Sequence, residues 1–449
     1  MSAISLHAIR PCLEGAIPAV MSTCSPDGTP NVAYISQVVY VDAGHVALSY
    51  QFFNKTRQNI LSNPWASVLV LDPVTARFYR LHLHYQHTET AGPVFESMRA
   101  QLAGIASHTG MAGVFELRGA DIYAVEHIDE VPGEGLDAPA PRPGLLHAVR
   151  LCGQRLARCT ALDSLLQATL TALQEHLGIR HAMVLMLDPS AQRLYTVASC
   201  GYRTSGVGSE IQLGHGVIGV AAREQTPVRI SHMTHAALYS HAIRTSLAEA
   251  HHDVATLPGM DIPYPGLAQP HSQIAIPLIS AGHLLGVLFA ESPLDLQFNF
   301  EDEDMLVAIA GQLGAAIDLL QAATDNPEVT SPVSSAPRVS GPPLRVRHFA
   351  ANDSVFINDD YLIKGVAGAI FWKLLRDNAS QGRVDFSNRE LRLDPMIRLP
   401  DVADNLEARL LLLQRRLQEH CPHVRIEKTG RGRFRLCMER PIVLEDMPG

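Results

Sequence analysis

Along the N-terminal third of the chain, apolar residues come in short runs bounded by turn formers. Asn31–Val41, His45–Tyr50 and Ala66–Leu71 are fenced by PDGTP, DAG and SNP. Runs of that length between Gly, Pro, Asn and Asp predict strands joined by turns. From Arg80 to His87 the pattern alternates, with Leu81, Leu83 and Tyr85 on one side and His82, His84 and Gln86 on the other. That period predicts a half-exposed barrel strand. A different period takes over at Leu145. Leu145, Val149, Leu156, Leu165, Leu166, Leu170, Leu173 and Leu177 follow three- and four-residue steps as far as Gly178, predicting a helix that the glycine ends.

A strand over Ala182–Leu187 leads into Val197–Gly219, where glycines at 201, 206, 208, 214, 216 and 219 alternate with Ile211, Leu213, Val217 and Ile218. Such spacing predicts repeated tight turns joining short strands and helices. AREQTPVRI and SQIAIPLISAGHLLGVLFAES follow, the latter read as two strands. Asn299 then precedes Glu301, Asp302, Glu303 and Asp304, so acids sit at the positive end of a helix dipole. On that helix Leu306, Ile309, Leu313, Ile317 and Leu320 form one apolar stripe. Paired with a second copy in a homodimer, this stripe and that of the Leu145 helix would both be buried, the alternative being that both pack on the domain's own sheet.

The C-terminal part begins with strand-like RVRHFA and SVFIND and an apolar helix over Val366–Leu375. Ser387 and Glu390 have the spacing of a capping box and start a second helix. A third helix, from about Asp404 to His420, places Leu406, Leu410, Leu413 and Leu417 on one face. The same spacing turns Ala408, Leu411, Leu412, Arg415 and Glu419 outward. VRIEKTGRGRFRLCM closes the series as a hairpin with Gly430 and Gly432 at its tip.

Two Pro/Gly-rich stretches divide the chain into residues 1–130, 144–323 and 344–449, with a linker at 131–143 and a disordered linker at 324–343. The 449 residues, 47% hydrophobic and 18% charged, suffice for several cores. Contiguous apolar runs stay short and the N-terminus lacks the features of a secretory signal, so a cytoplasmic location without membrane contact is expected. Seven cysteines form no CxxC pair. The net charge of -9 is uneven, with residues 344–449 at +3 and the remainder at -12. That asymmetry points to an anionic partner for the C-terminal part.

NKTRQNILSNPWASVLVLDP (54–73), preceded by PDGTPNVAYIS and followed by FYRLHLHYQHTE, resembles the pyridoxamine 5'-phosphate oxidase-like split barrels over roughly residues 15–128. The resemblance implies bound FMN. Asn54, Lys55, Thr56 and Gln58 at a helix start would receive its phosphate, and Tyr34, Ser36, Tyr50 and Gln51 would line the flavin. Where the family often has an Arg, this chain has Val32, Ala33 and Tyr34. From the residues alone, Asn54 caps the helix while Lys55 and Arg57 are solvated. His82 and His84 read as surface residues, with metal or haem ligation the lesser alternative.

SQIAIPLISAGHLLGVLFAES resembles the last two strands of a GAF domain, which implies a small-molecule pocket. The segment over that pocket holds His232, His235, His241, His251, His252 and His271, in no standard metal spacing. The signature of cyclic-nucleotide GAF domains is absent. Residues 344–443 resemble the winged-helix DNA-binding domains of OmpR/PhoB-type response regulators. That resemblance implies phosphate contacts from Lys428, Arg431, Arg433 and Arg435, and groove contacts from Arg409, Arg415 and Arg416.

The expected fold is multidomain α+β: a split β-barrel, a GAF α/β sandwich and a winged helix. The expected function is a ligand- or redox-responsive sensor and transcription regulator, with no catalytic or metal-ligating residue assigned. An FMN-dependent oxidoreductase with regulatory domains, or a sensor whose winged helix binds protein, are the alternatives.

Overall fold

The computed structural model describes residues 4–15, 17–51, 55–108, 117–138, 144–231, 262–324, 341–397, 399 and 406–447. After a 3-10 helix at Leu6–Leu13, the N-terminal unit has seven strands. They are β1 (Ala19–Cys24), β2 (Pro30–Ile35), β3 (Val38–Tyr40), β4 (His45–Tyr50), β5 (Trp65–Leu71), β6 (Phe78–Glu89) and β7 (Gly119–Glu130). They pair antiparallel in the order β2-β1-β5-β6-β7-β4-β3. β6 alternates as its sequence predicts: Leu81 and Leu83 are buried, His82 and His84 half-exposed. Two helices accompany the sheet, α1 (Lys55–Ser62) and α2 (Pro93–His108).

The central unit begins with α3 (Leu145–Leu156) and α4 (Leu162–Leu177), where the sequence predicts one helix. The helix stops because Arg158 and Cys159 donate to Arg155 and Leu156, three residues back, and Ala161 is extended at φ -140. The apolar period survives the break because both pieces pack on the same neighbour. Gly178 ends α4 at φ +67, as expected.

β8 (His181–Asp188), β9 (Arg193–Cys200), β10 (Glu210–Gln212), α5 (Gly216–Glu224), β11 (Val228–Ile230), β12 (Ser272–Ser280), β13 (His283–Ser292) and α6 (Phe300–Thr324) complete this unit. Its sheet is antiparallel in the order β10-β9-β8-β13-β12-β11. Asn299 caps α6 as predicted, its side-chain oxygen accepting from the Glu301 and Asp302 amides at 2.9 and 3.1 Å.

The α6 stripe of Leu306, Ile309, Leu313 and Ile317 is buried with α4 and the sheet residues Ile274, Ile276 and Leu278. The α6 stripe therefore covers the domain's own sheet, while Leu145 and Val149 of α3 are half-buried beside it. By length and composition Phe300–Ala322, at mean hydropathy 1.6, is long and apolar enough to cross a membrane, a property that core helices share. Gln312 and Asp318 interrupt its apolar run, which hid it from a reading of contiguous residues. On the opposite face of the sheet Met183, Leu185, Val287 and Phe289 pack against α5 and, from the N-terminal unit, Ala100 of α2.

The C-terminal unit comprises β14 (Leu344–Phe349), β15 (Ser354–Ile357), β16 (Asp360–Ile363), α7 (Gly365–Gln381), β17 (Asp385–Ser387), α8 (Asn388–Leu393), α9 (Leu406–His420), β18 (Val424–Gly430), β19 (Arg433–Met438) and β20 (Ile442–Met447). The capping box forms: the Glu390 amide donates to the Ser387 hydroxyl at 3.4 Å and the Ser387 amide donates to Glu390 at 3.1 Å. β20, missed in the sequence, pairs parallel with β14.

The outward face expected for α9 is the largest correction here. Ala408 is buried, and Leu411 and Leu412 are only 6% and 5% exposed. They belong to one buried cluster that runs continuously from the central sheet into the C-terminal unit. A single helix stripe could be read from spacing, but the second covering surface comes from elsewhere in the chain.

Candidate functional site

In the N-terminal unit a cleft of about 110 Å³ opens beside the first turn of α1. Its walls include Tyr34, Ser36, Tyr50, Gln51 and Thr56, all predicted there. The Gln51 amide donates to the Ser36 hydroxyl at 3.1 Å, and Asn31 Nδ2 donates to Thr56 at 2.9 Å. Tyr34 is 82% exposed at the rim. Lys55 and Gln58 point into solvent, because a helix start lying against β1 can turn only one side inward. Asn54 lies outside the described residues.

Arg57 takes the place expected of Lys55. Its guanidinium meets Asp121 at 2.6 Å and Thr88 at 2.8 Å, and lies over the rings of Tyr50 and Tyr85 at 4.5 and 5.4 Å. The reading of Arg57 as solvated is thereby corrected. Burial works against its charge, but Asp121 holds it firmly protonated. Burial pushes the Asp121 carboxyl up, against its hydrogen bonds from Thr88 and Arg57. Asp121 and Tyr123, also missed, share one face of β7 through strand alternation, the one signal in GADIYAVEH that could have found them.

The donor set fits a phosphate carrying a flat aromatic group: hydroxyls of Ser36 and Thr56, the Gln51 amide, one guanidinium, and phenol rings at the rim. A whole cofactor needs roughly 300–1,000 Å³. The described cleft would hold only part of a flavin.

A second polar cluster lies on the α5 side of the central sheet. The buried Glu291 carboxylate accepts from the Leu267 amide at 2.7 Å and from Gln273 Nε2 at 3.0 Å. Burial pushes this carboxyl up, and burial together with Glu291 pushes up the Tyr202 and Tyr264 phenols. Of the six histidines singled out nearby, His232, His235, His241, His251 and His252 lie outside the described residues, while His271 meets Asp295 at 3.2 Å.

His82 and His127 share Asp129, each at 2.8 Å, and His84 packs edge-on against Trp65. Among the described residues no group of three or more His, Cys, Asp or Glu is arranged to hold a metal ion.

The seven basic residues picked out near the C-terminus fall into two groups. Lys428 meets Glu407 at 2.6 Å, Arg435 meets Asp385 at 2.7 Å, and Arg431 and Arg433 stand at the β18–β19 tip. On α9, by contrast, Arg409 and Arg416 are buried. Arg416 donates to the Leu362 carbonyl at 2.9 Å, inside its own unit, and burial pulls its pKa down. Arg409 and Arg415 reach the central unit.

A half-barrel sheet followed by a sandwich of helices and a six-stranded sheet defines a mixed α/β multidomain protein. Residues 5–125 match the pyridoxamine 5'-phosphate oxidase family and residues 161–317 match the GAF domain family. No curated protein matches the chain.

Solved structures similar to it include the GAF domain of an Acinetobacter phosphoenolpyruvate-protein phosphotransferase, at 21% identity, covering 40% of this chain and 97% of that one, with TM-score 0.30. The free methionine-R-sulfoxide reductase of Neisseria meningitidis, in complex with its substrate, has 21% identity, 42% and 98% coverage and TM-score 0.31. An FMN-binding protein from Syntrophomonas wolfei subsp. wolfei has 16% identity, 28% and 86% coverage and TM-score 0.24. At these values the likenesses carry no further argument.

Proposed function

We propose that the chain is a cytoplasmic ligand-responsive transcription regulator, in which the GAF domain senses a small molecule and residues 344–447 form a DNA-binding winged helix. The supporting observation is the element order of that last unit: strands, α7, α8, α9 and then the β18–β19 hairpin with Arg431 and Arg433 at its tip. Two helices, a recognition helix and a basic hairpin match the division of labour of winged-helix proteins, in which hairpin cations grip phosphate. The +3 charge of residues 344–449, within a chain of net -9, supports the same partner.

The test is duplex affinity against salt. Binding should weaken as salt rises, and Arg431→Ala with Arg433→Ala should reduce the slope of log affinity on log salt by about 2, near 0.9 per lost phosphate contact. Unchanged binding by the double variant would overturn the assignment of the hairpin.

A flavin-dependent oxidoreductase with regulatory domains is the second reading, favoured by the cleft around Arg57. Turnover of a reduced nicotinamide cofactor by the flavin-loaded protein would select it. Bound flavin without turnover would select sensing by the barrel.

A further inference from the structure

The helix face that DNA binding requires is turned onto the GAF sheet. Arg409 meets Asp188 at 2.7 Å and lies over the Tyr195 ring at 4.3 Å. One turn and a half further on, Arg415 meets Asp163 at 2.6 Å and donates to the Val197 carbonyl at 2.5 Å. The Ser205 hydroxyl donates to Glu419 at 2.5 Å, and Lys364 of the C-terminal unit meets Glu210 at 3.2 Å. Between these polar contacts the side chain of Leu412 lies against Gly208, where a Cβ atom would stand 3.5 Å from it.

Charge runs one way across most of this contact. Asp163, Asp188 and Glu210 belong to the sensor, and Arg409, Arg415 and Lys364 to the output unit. The carboxylates thus occupy the same guanidinium groups that phosphates would use. At Asp188 burial alone would raise the carboxyl, yet Arg409 and the hydrogen bonds around it hold it below its ordinary value, so the pair is ionised.

We propose that the GAF face formed by the start of α4, the end of β8 and the β9–β10 edge is a docking surface for α9, an acidic clasp that holds the C-terminal unit closed and keeps its recognition helix from DNA. This rests on the DNA-binding function proposed above. The clasp is also placed to respond to the sensor. Leu194 and Ile211, on β9 and β10, face the α5 side of the sheet, whereas Tyr195 of β9 faces Arg409 of α9. A ligand that shifts the packing under α5 moves β9 and β10, which carry Tyr195, the Val197 carbonyl and Glu210 of the clasp. When the competent state is a minor fraction, apparent affinity falls by that fraction, so opening the clasp raises it.

The experiment compares the full-length protein, the variant Asp163→Asn/Asp188→Asn, and Ser205→Cys/Glu419→Cys, each with a short random-sequence duplex at one salt concentration. The first variant changes only sensor residues and leaves the basic face intact. It should bind at least about tenfold more tightly than the unaltered chain, a shift of about 1.4 kcal/mol. The cysteine pair should bind only after reduction, with the oxidised unaltered chain as control for its native thiols; it also decides the matter if the first variant fails to fold. Equal binding by all three, oxidised or reduced, would overturn the clasp alone. Absence of binding by every form, with the cysteine cross-link formed and reversible, would overturn the DNA-binding function itself.

Discussion

The guanidinium of Arg229, on β11 of the GAF domain, meets the carboxylate of Glu14 from the N-terminal unit at 2.6 Å, with both side chains 8% exposed. Glu303, at the start of α6, adds a second carboxylate at 2.8 Å. Burial opposes the charge on Arg229, but the two acids hold it protonated. The amide of Gln101, on α2, reaches the Glu14 and Arg229 carbonyls at 3.1 and 3.4 Å, so the bridge and the helix together tie the two units.

Arg229→Ala leaves two carboxylates without their cation in a buried site. Loss of one partner of a buried pair costs roughly 3–5 kcal/mol. Urea unfolding should show a loss of that size, whereas Arg77→Ala, at an exposed pair with Glu130, should change stability by less than about 1 kcal/mol.

Flavin titration separates two neighbouring cations. Arg57→Ala should weaken FMN binding by at least about tenfold, since each lost charge-assisted contact is worth about 1.5–3 kcal/mol. Lys55→Ala, whose side chain points away from the cleft, should leave the affinity within about threefold, as surface charges do. Flavin fluorescence quenching reports both. Equal losses would remove Arg57 from its assigned place.

Two glycines of the Val197–Gly219 segment should respond unequally to alanine. Gly201 and Gly216 both have positive φ, +85 and +61, a backbone that costs an alanine roughly 1–2 kcal/mol. Around Gly216 space is open, but a Cβ on Gly201 would stand 2.0 Å from the Arg180 carbonyl oxygen. Gly201→Ala should therefore exceed Gly216→Ala by about 1–3 kcal/mol, the cost of forcing atoms into a packed site. Thermal unfolding of the two variants gives the comparison.

Acidification should weaken the fold through His181. Burial lowers the pKa of its imidazole, and Arg180 adds to the shift. The folded state therefore prefers the neutral ring. Its contribution is intact above the ordinary histidine pKa of about 6.5 and is lost as pH falls through the lowered folded value. His181→Gln should flatten that part of the stability profile between pH 7.5 and 5.5, values chosen to bracket about 6.5.

Much of this architecture was legible because it rests on local patterns. The alternation in β6, the Asn299 cap, the Ser387–Glu390 box and the glycine stop at 178 each depend on residues a few positions apart. What escaped depends on distant neighbours. Nothing near Leu411 or Leu412 announces that the central unit will cover them, and Arg57 reads as solvated until Asp121, 64 positions away, is folded beside it. The break between α3 and α4 was hidden by the opposite effect, since one packing partner imposes one apolar period on two helices. At the candidate site, Tyr34, Ser36, Tyr50 and Gln51 came from the family resemblance and line the cleft, whereas its central ion pair was not foreseen.

The helix that the N-terminal unit lays on α5 has one more consequence. Ala100 is a fully buried member of the GAF domain's second core, Ala103 and Ile105 pack against that core, and Gly104 sits so close to Val228 that a Cβ there would fall within 2.6 Å. The Pro/Gly-rich stretch at 131–143 is a seam in the polypeptide, but the seam in the packing lies elsewhere. Severed at the former, the sensor would keep its fold family and lose part of its lining. A gene rearrangement that carried off residues 144–323 alone would strand an oily surface in water. The N-terminal unit is thus part of the cover of the sensor's second core.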